Sequence, residues 1–460
     1  MPSVFAMLML ALWPVVSVVL FRTLPAGRAL LASILIAYLF LPPPPAAFDF
    51  PGLPPFNKDT IPAIVALIMS LILYREEFEL LPVGKFGKVL VVVFILSPVA
   101  TALTNADPVF YGSVGLPGLR MWDAIAMVVQ QALVLTPFLL ARNFLCTAES
   151  QRDILLALVI GGLVYSAPML LEVRLSPQLN VWFYGYFQHA FEQVMRDGGF
   201  RPIVFLYHGL WVAFFCMTTV LAAVALARVG PFRRFATFGA IALYLFVVLV
   251  LCKSLASILY ALAFAPLIGF ASARFQIRFA AFLAFLAIAY PIAKGADLVP
   301  QERILAAAAS ASGERAYSLQ FRFDNETILL ERAYERPLFG WGSWGRNHVL
   351  DEVSGQILTI TDGRWIILIG VFGWVGFLAE MGLLTLPLFM LWRRSNNAVT
   401  EAIGPWLGPL ALIIAVNVID LIPNATITPL TWMFAGGLFG FAEGFKPVQR
   451  RALAPIRTVL

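Results

Sequence analysis

ERPLFGWGSWGRNHVLDEVSGQILTITDGRWIILIGVFGWVGFLAEMG, residues 335–382, is a polar loop rich in arginine, glycine and tryptophan that runs directly into an apolar helix. Aimed charges and tight turns at this density mark a segment that does more than connect. Chemistry at a membrane surface is the first expectation it raises.

The rest of the chain supplies the membrane. It is 60% hydrophobic and 13% charged, against about 25% charged for an ordinary soluble domain, and its mean hydropathy is +0.85. The fold class expected is therefore all-α and polytopic. Cys146, Cys216 and Cys252 each lie within or beside an apolar run, which gives a disulfide framework or a thiolate metal site no support. The histidines lack metal-ligand spacing, so no metal and no cofactor is expected. A P-loop and a paired-aspartate nucleotide-sugar motif are both missing. The start, MPSVFAMLMLALWPVVSVVLF, reads as a first membrane helix and not as a cleaved leader.

Crossing a bilayer as a helix takes roughly 17 to 25 apolar residues. Candidate spans fall near 4–21, 29–46, 60–74, 88–104, 122–141, 153–172, 203–227, 236–252, 254–271, 279–293, 365–392, 404–420 and 427–444. This predicts about twelve to thirteen transmembrane helices, with 236–271 open to reading as two helices or one. With a cytoplasmic C-terminus, short inner loops hold Arg22, Arg28, Arg75, Lys85, Lys88, Arg142, Arg152, Arg228, Arg233, Arg234, Arg274, Arg278, Arg393 and Arg394, and a basic tail over 446–460 adds Lys446, Arg450, Arg451 and Arg457. The short outer loops hold only Lys58, Arg120 and Lys253. That asymmetry orients the stack and accounts for most of the +6 net charge without a nucleic-acid partner. A membrane bundle over 1–293 with an outer loop near 173–202, a large outer loop over 294–364, and C-terminal spans over 365–445 follow.

In the large loop a short helix is expected from Pro300 through ILAAAASA, stopping at Gly313, and a second from Asp324 or Asn325 to Arg336, ended by Pro337. Gly340, Gly342 and Gly345 alternate with Trp341 and Trp344, a turn that brings backbone amides close to a ligand or forms an aromatic belt at headgroup level. Beyond Lys294 every base of this loop is arginine: Arg303, Arg315, Arg322, Arg332, Arg336, Arg346 and Arg364. Arginine's fixed fork of donors matches phosphate geometry, whereas lysine is a point charge. Ten carboxylates share the loop, so some arginines are expected to pair with Glu326, Glu331 or Glu335, and two or three to face a phosphate.

The order of apolar helices, the large outer loop in the C-terminal third and the step RPLFGWG before a helix with paired glycines resemble the O-antigen ligase and O-antigen polymerase superfamily. These are bacterial envelope glycosyltransferases with a helical membrane fold of GT-C type. The family has an arginine upstream of a Pro-Leu-x-Gly-x-Gly turn, and Arg322 stands fifteen residues before Pro337. It also has an arginine in an earlier outer loop, which Arg201 in GGFRPIVFLYHGLWVAF resembles, and a Ser-Arg-Gly-like step weakly matched at Lys253 and Ser254. Its histidine, about eleven residues before the glycine opening a Gly-x-x-Gly helix, is replaced: counting back from Gly373 lands on Asp362.

The resemblance implies transfer of a glycan from a polyprenyl diphosphate carrier to the hydroxyl of a glycan or lipid acceptor, by an enzyme of the bacterial inner membrane whose site faces the periplasm and which could work with a polysaccharide assembly machinery. Ligase and polymerase are not told apart. Arg201 and Arg322 would neutralise the diphosphate, with Arg346 and Arg364 in reserve. Two unit charges about 4 Å apart interact by roughly 4 kcal/mol at an effective dielectric near 20, so arginines could do a metal ion's work. Asp362 or His348 would act on the acceptor, with His208 and Lys253 as secondary candidates. Asp362 could equally cap the helix that follows it. His348 could be a solvated loop residue, and His208 a packed one.

Other classes remain open from sequence. Lys253, Glu380 and Asp420 lie in or beside apolar runs, where ionisable groups mark either a transport pathway or a buried pair, so a transporter or lipid-linked glycan flippase is the alternative. No internal repeat supports it. A transferase using a polyprenyl monophosphate sugar would place a carboxylate in the first outer loop, where Asp49 and Asp59 are available but unpaired as a motif. A non-catalytic scaffold is the third possibility.

Overall fold

Ser3 opens the first helix by accepting a hydrogen bond from the backbone of Ala6, and α1 (Val4–Thr23) is followed by α2 (Ala26–Phe40), which ends where Leu41 meets a run of prolines that cannot continue it. Ser17 and Ser33 hydrogen-bond at 2.8 Å between these two helices. The computed structural model describes residues 1–460 except 77, 113, 197, 312, 398–403 and 445–460. The expected basic tail, with Lys446, Arg450, Arg451 and Arg457, therefore lies outside the described residues.

Next come α3 (Thr60–Leu73), α4 (Lys85–Leu103) and a small hairpin, β1 (Val109–Tyr111) with β2 (Val114–Leu116). Then α5 (Met121–Phe144), α6 (Ala148–Leu175) and the short α7 (Leu179–Tyr184) lead to a second hairpin, β3 (Met195–Arg196) with β4 (Gly199–Phe200). After it run α8 (Gly209–Arg228), α9 (Phe232–Leu251), α10 (Leu255–Phe270) and α11 (Ala273–Gly295). The large loop contains α12 (Gln301–Ala311) and α13 (Gly313–Tyr334), and the chain finishes with α14 (Arg364–Asn397), α15 (Leu407–Asp420) and α16 (Pro429–Glu443).

Among the described residues, eight helices are long and apolar enough to cross a membrane, and four shorter apolar helices stand with them. The protein is an all-α polytopic membrane protein. Its helices close on small residues: a Cβ on Gly436 or Gly440 would sit 2.1 or 2.2 Å from the carbonyl oxygens of Phe138 or Arg142. That lets α16 lie backbone to backbone on α5, the small-xxx-small arrangement that lipid-embedded helices use because burial alone gives them little attraction. The buried Arg142 then reaches the Glu443 carboxylate at 2.7 Å.

Each expected apolar stretch holds a helix; one open reading is resolved, and one span and one loop helix start elsewhere than expected. Residues 236–271 are two helices, broken at Lys253, whose φ is +52°. The stretch from 203 starts its helix only at Gly209, because Val204 has φ +54° and 203–206 form a turn. In the large loop α13 begins at Gly313, well before Asp324, and ends at Tyr334. The loop helix is thus longer than its cap signals suggested, and Phe323, Leu329, Leu330 and Ala333 form its buried stripe.

The opening motif is a backbone interlock. Inside α14 Gly373 has φ +66° and ψ −169°, which breaks the helix ladder. The groups left without helical partners bond to the RPLFGWG turn: Trp341 N–H to Gly370 O at 2.8 Å, Gly342 N–H to Val371 O at 2.9 Å, and Trp374 N–H to Pro337 O at 2.8 Å. Gly340, at φ +67°, approaches so closely that a Cβ there would lie 2.5 Å from the Val371 carbonyl carbon. Unpaired backbone groups at membrane depth are costly, and the turn satisfies them. Trp341 is accordingly buried under Arg332, 3.3 Å from its ring centroid, and only Trp344 is exposed at the surface.

Candidate functional site

A cavity of about 930 Å³ lies at the N-terminal end of α8. Four chain segments far apart in sequence line it. The stretch around β3 and the start of α8 gives His189, Arg196, Arg201, Tyr207 and His208; α13 gives Arg322; the turn before α14 gives Thr361 and Asp362; and the α15–α16 connection gives Asn424 and Ala425.

Arg201 is held before any ligand arrives. Its N–H bonds to Val194 O at 2.8 Å, its guanidinium reaches Lys253 O at 3.5 Å, and it is 3% exposed. Its side chain runs across the face of Gly209, where a Cβ would stand 2.3 Å from Arg201 Cδ. Lys253 in turn donates to Arg196 O at 2.8 Å, tying the β3–β4 hairpin to the α9–α10 break. The turn carrying Arg201 is braced from behind. The buried carboxylate of Glu172 accepts from Ile203 and Val204 at 2.8 and 2.7 Å, and Lys58, itself buried, donates to Phe205 O at 2.7 Å. Tyr207 donates to Asp59.

His208 caps α8. Its Nδ1 accepts from Leu210 N–H at 3.0 Å, and its ring lies 4.5 Å from that of His189, whose Nδ1 accepts from Ala190 N–H at 2.7 Å. Burial first, then the positive fields of His189, Arg201 and Arg196, push the His208 pKa down to about 3. With Nδ1 already accepting, the neutral ring carries its proton on Nε2 and offers a donor, not a base. Arg322 Nε donates to Asp362 Oδ2 at 3.1 Å, with both side chains about one-third exposed, at 32% and 37%. The lining is thus rich in donors, and Asp362 is the one carboxylate among its described residues.

The structure brings Arg201, Arg322, Asp362 and His208 together and places the other candidates elsewhere. Arg346, 1% exposed, gives its guanidinium to the carbonyls of Pro117, Asp107 and Trp341 at 2.7, 3.0 and 3.2 Å and staples the 335–350 loop to the β1–β2 region. Arg364 makes a two-pronged pair with the buried Glu380 at 2.7 and 2.6 Å. Neither lines the cavity. His348 Nδ1 is engaged by Thr359 at 3.1 Å, and burial lowers its pKa. Lys253 acts behind the cavity through Arg196 and Arg201. The Asp362 carboxylate accepts from Arg322, and the first N–H of α14, that of Arg364, goes to the Leu421 and Asn424 carbonyls.

Glu380 is buried in its pair with Arg364, and Asp420 is buried among neutral hydrogen-bond donors. Asp420 accepts from Thr426 Oγ1 at 2.5 Å and Asn424 Nδ2 at 3.0 Å, which fixes the wall that carries Asn424. His189, Arg196, Tyr207 and Asn424 are cavity residues that sequence reasoning missed. The Arg-Asp-Gly-Gly run at 196–199 was a hairpin signal that could have drawn attention to the first two. No protein-family model matches the chain, and no curated protein matches it.

Proposed function

We propose that the protein is a membrane glycosyltransferase that moves a glycan from a polyprenyl diphosphate carrier to an acceptor hydroxyl, as an O-antigen ligase or polymerase does. The observation that carries this reading is the convergence of Arg201 and Arg322 with Asp362 in one cavity. The diphosphate of the carrier sits among Arg201, Arg322 and Arg196, with the Nε2–H groups of His208 and His189 as further donors. Its negative charge grows as the glycosidic bond breaks, and fixed donors aimed at that charge act on the transition state.

Arg322 has two partners in this scheme. Before the carrier binds it holds Asp362; the diphosphate, carrying more charge, draws Arg322 away and leaves the carboxylate free to act. The acceptor oxygen then attacks the anomeric carbon, its proton passes to Asp362, and the bond to the diphosphate oxygen breaks with the electron pair leaving on phosphate. The bilayer holds the prenyl tail, which limits the entropic cost of bringing the reactants together. The arginine asymmetry between short loops supports a cavity that faces outward, on the periplasmic side of a bacterial inner membrane in this reading.

Binding tests this before catalysis does. A short-chain polyprenyl diphosphate should bind the purified protein and be displaced by inorganic pyrophosphate, and Arg201→Ala should weaken it by about tenfold or more, since charge-assisted hydrogen bonds are the strong ones. Equal binding of a neutral polyprenol would remove the diphosphate from the site.

A further inference from the structure

At the opposite ends of the helices that frame the cavity, a second hollow of about 430 Å³ opens between α8, α9 and α10. It is a groove on the lipid-facing flank. α9 packs closely on α8 and only sparsely on α10, and is the least buried of the eight long apolar helices. The floor is small and buried, with Ala242 at 7% and Ala261 at 1% exposure, while the rim is bulky and exposed at Leu243 and Phe270. Gly239 leaves space: a Cβ built there meets nothing within 4 Å. From Phe235 to Phe246 the α9 wall rises by roughly 16 Å at about 1.5 Å per residue, which matches one leaflet of a hydrocarbon core about 30 Å thick.

The end of this groove is strongly and one-sidedly charged. Arg228 stands at its mouth, with Nη1 fixed on the carbonyls of Ile268 and Ala271 at 3.0 and 2.7 Å. Arg233 and Arg234 occupy the first turn of α9, which has no acidic residue, and the Arg234 side chain folds back over Gly230. Positive side chains at a helix N-terminus oppose the helix dipole and call for an anion. The sequence provides none nearby: there is no aspartate or glutamate from Gly209 to Ala296. Among the described residues no carboxylate forms a salt bridge with Arg228, Arg233 or Arg234.

We infer that this groove is a binding site for an anionic glycerophospholipid, with one acyl chain lying between α9 and α10 over Gly239 and the phosphate held by Arg228 and Arg234. A depth of one leaflet suits an acyl chain, and the arginine mouth selects the anionic headgroup. The site lies on the membrane face opposite the cavity, so it stands independently of the transferase reading.

The experiment is photocrosslinking in phosphatidylcholine nanodiscs containing a phosphatidylglycerol with a diazirine in its acyl tail, compared with the phosphatidylcholine analogue of the same tail. The phosphatidylglycerol probe should label α9 and α10 peptides about thirtyfold more than the zwitterionic probe, the difference expected of two basic groups on an anionic headgroup. Arg228→Gln with Arg234→Gln should bring the two probes level. Gly239→Trp should abolish labelling of the groove while labelling on α1 persists; if its thermal unfolding shows that it does not fold, Gly239→Leu serves, and its α9 labelling should fall likewise. Equal labelling by the two probes, or labelling untouched by both the arginine and the glycine changes, overturns the assignment. Displacement of the probe by a polyprenyl phosphate but not by unlabelled phosphatidylglycerol also overturns it, in favour of the carrier.

Discussion

Arg322 Nε and Asp362 Oδ2 lie 3.1 Å apart at the wall of the cavity, forty residues apart in sequence. The pair is partly exposed, so its strength is limited by solvent screening, and it can be exchanged for a better anion. A buried, fully enclosed pair could not be opened so readily. Asparagine at 362 keeps an oxygen to accept from Arg322 but cannot take a proton. Asp362→Asn should therefore leave protein abundance and carrier binding intact and lower turnover by about a hundredfold, within the usual range for a general base. Single-turnover kinetics beside a binding titration separate the two effects, and normal turnover would return Asp362 to a structural role.

Gly209 offers a different route to the same site. Alanine there should favour the α8 helix by up to about 1 kcal/mol on propensity alone, yet its Cβ would lie 2.3 Å from Arg201 Cδ and displace that side chain. Gly209→Ala should thus keep or raise expression while reducing turnover, by about a hundredfold if Arg201 moves by about 1 Å. A variant with normal turnover would show that the position of Arg201 is not critical.

The interlock between the 337–342 turn and the α14 break makes a stability prediction. Gly340 and Gly345 have similar positive φ, +67° and +77°, but a Cβ at Gly340 meets backbone at 2.5 Å while one at Gly345 meets nothing within 4 Å. Gly345→Ala should cost only the strain of a left-handed residue, about 1–2 kcal/mol. Gly340→Ala and Gly373→Ala should cost clearly more and lower both abundance and melting temperature. Equal melting temperatures for Gly340→Ala and Gly345→Ala would contradict the interlock.

Acid should act on His208. Its folded pKa of about 3 lies below the ordinary 6.5, because burial and neighbouring positive charge disfavour the imidazolium. Below pH 6.5 the unfolded chain takes up a proton that the folded site refuses. This contribution to stability is therefore complete above 6.5 and declines as the pH falls toward 3. His208→Asn keeps the cap on Leu210 without titrating, so its melting temperature should fall less steeply than the wild type's between pH 7 and 5. Parallel curves would place the proton elsewhere.

The membrane class and the run of helices were legible because bilayer thickness imposes a length and composition that few other constraints imitate. The break of 236–271 at Lys253 was legible only as one of two readings and the late start of α8 not at all, since both depend on positive φ at residues that are not glycine, Lys253 and Val204. Arg201, Arg322 and Asp362 could be singled out because each stands at a spacing resembling a family pattern. Arg346 and Arg364 shared the same chemistry and the same loop. Only the fold shows that the first is spent on three carbonyls and the second on Glu380. Arg196 reaches the cavity on a hairpin of two-residue strands and His189 on the irregular stretch before it, both too short to leave a periodic signal.

Transfer of a glycan from a polyprenyl diphosphate in the cavity can be read with purified protein in proteoliposomes given a labelled polyprenyl-diphosphate glycan and an acceptor glycan. Wild-type protein should transfer the label and release polyprenyl diphosphate. Arg201→Ala and Arg322→Ala should each reduce transfer by about a hundredfold or more, as loss of one oxyanion donor does, and lysine at either position should restore little because it lacks the planar fork. Carrier that crosses the bilayer with its glycan still attached, or transfer at the wild-type rate by both alanine variants, would contradict the account.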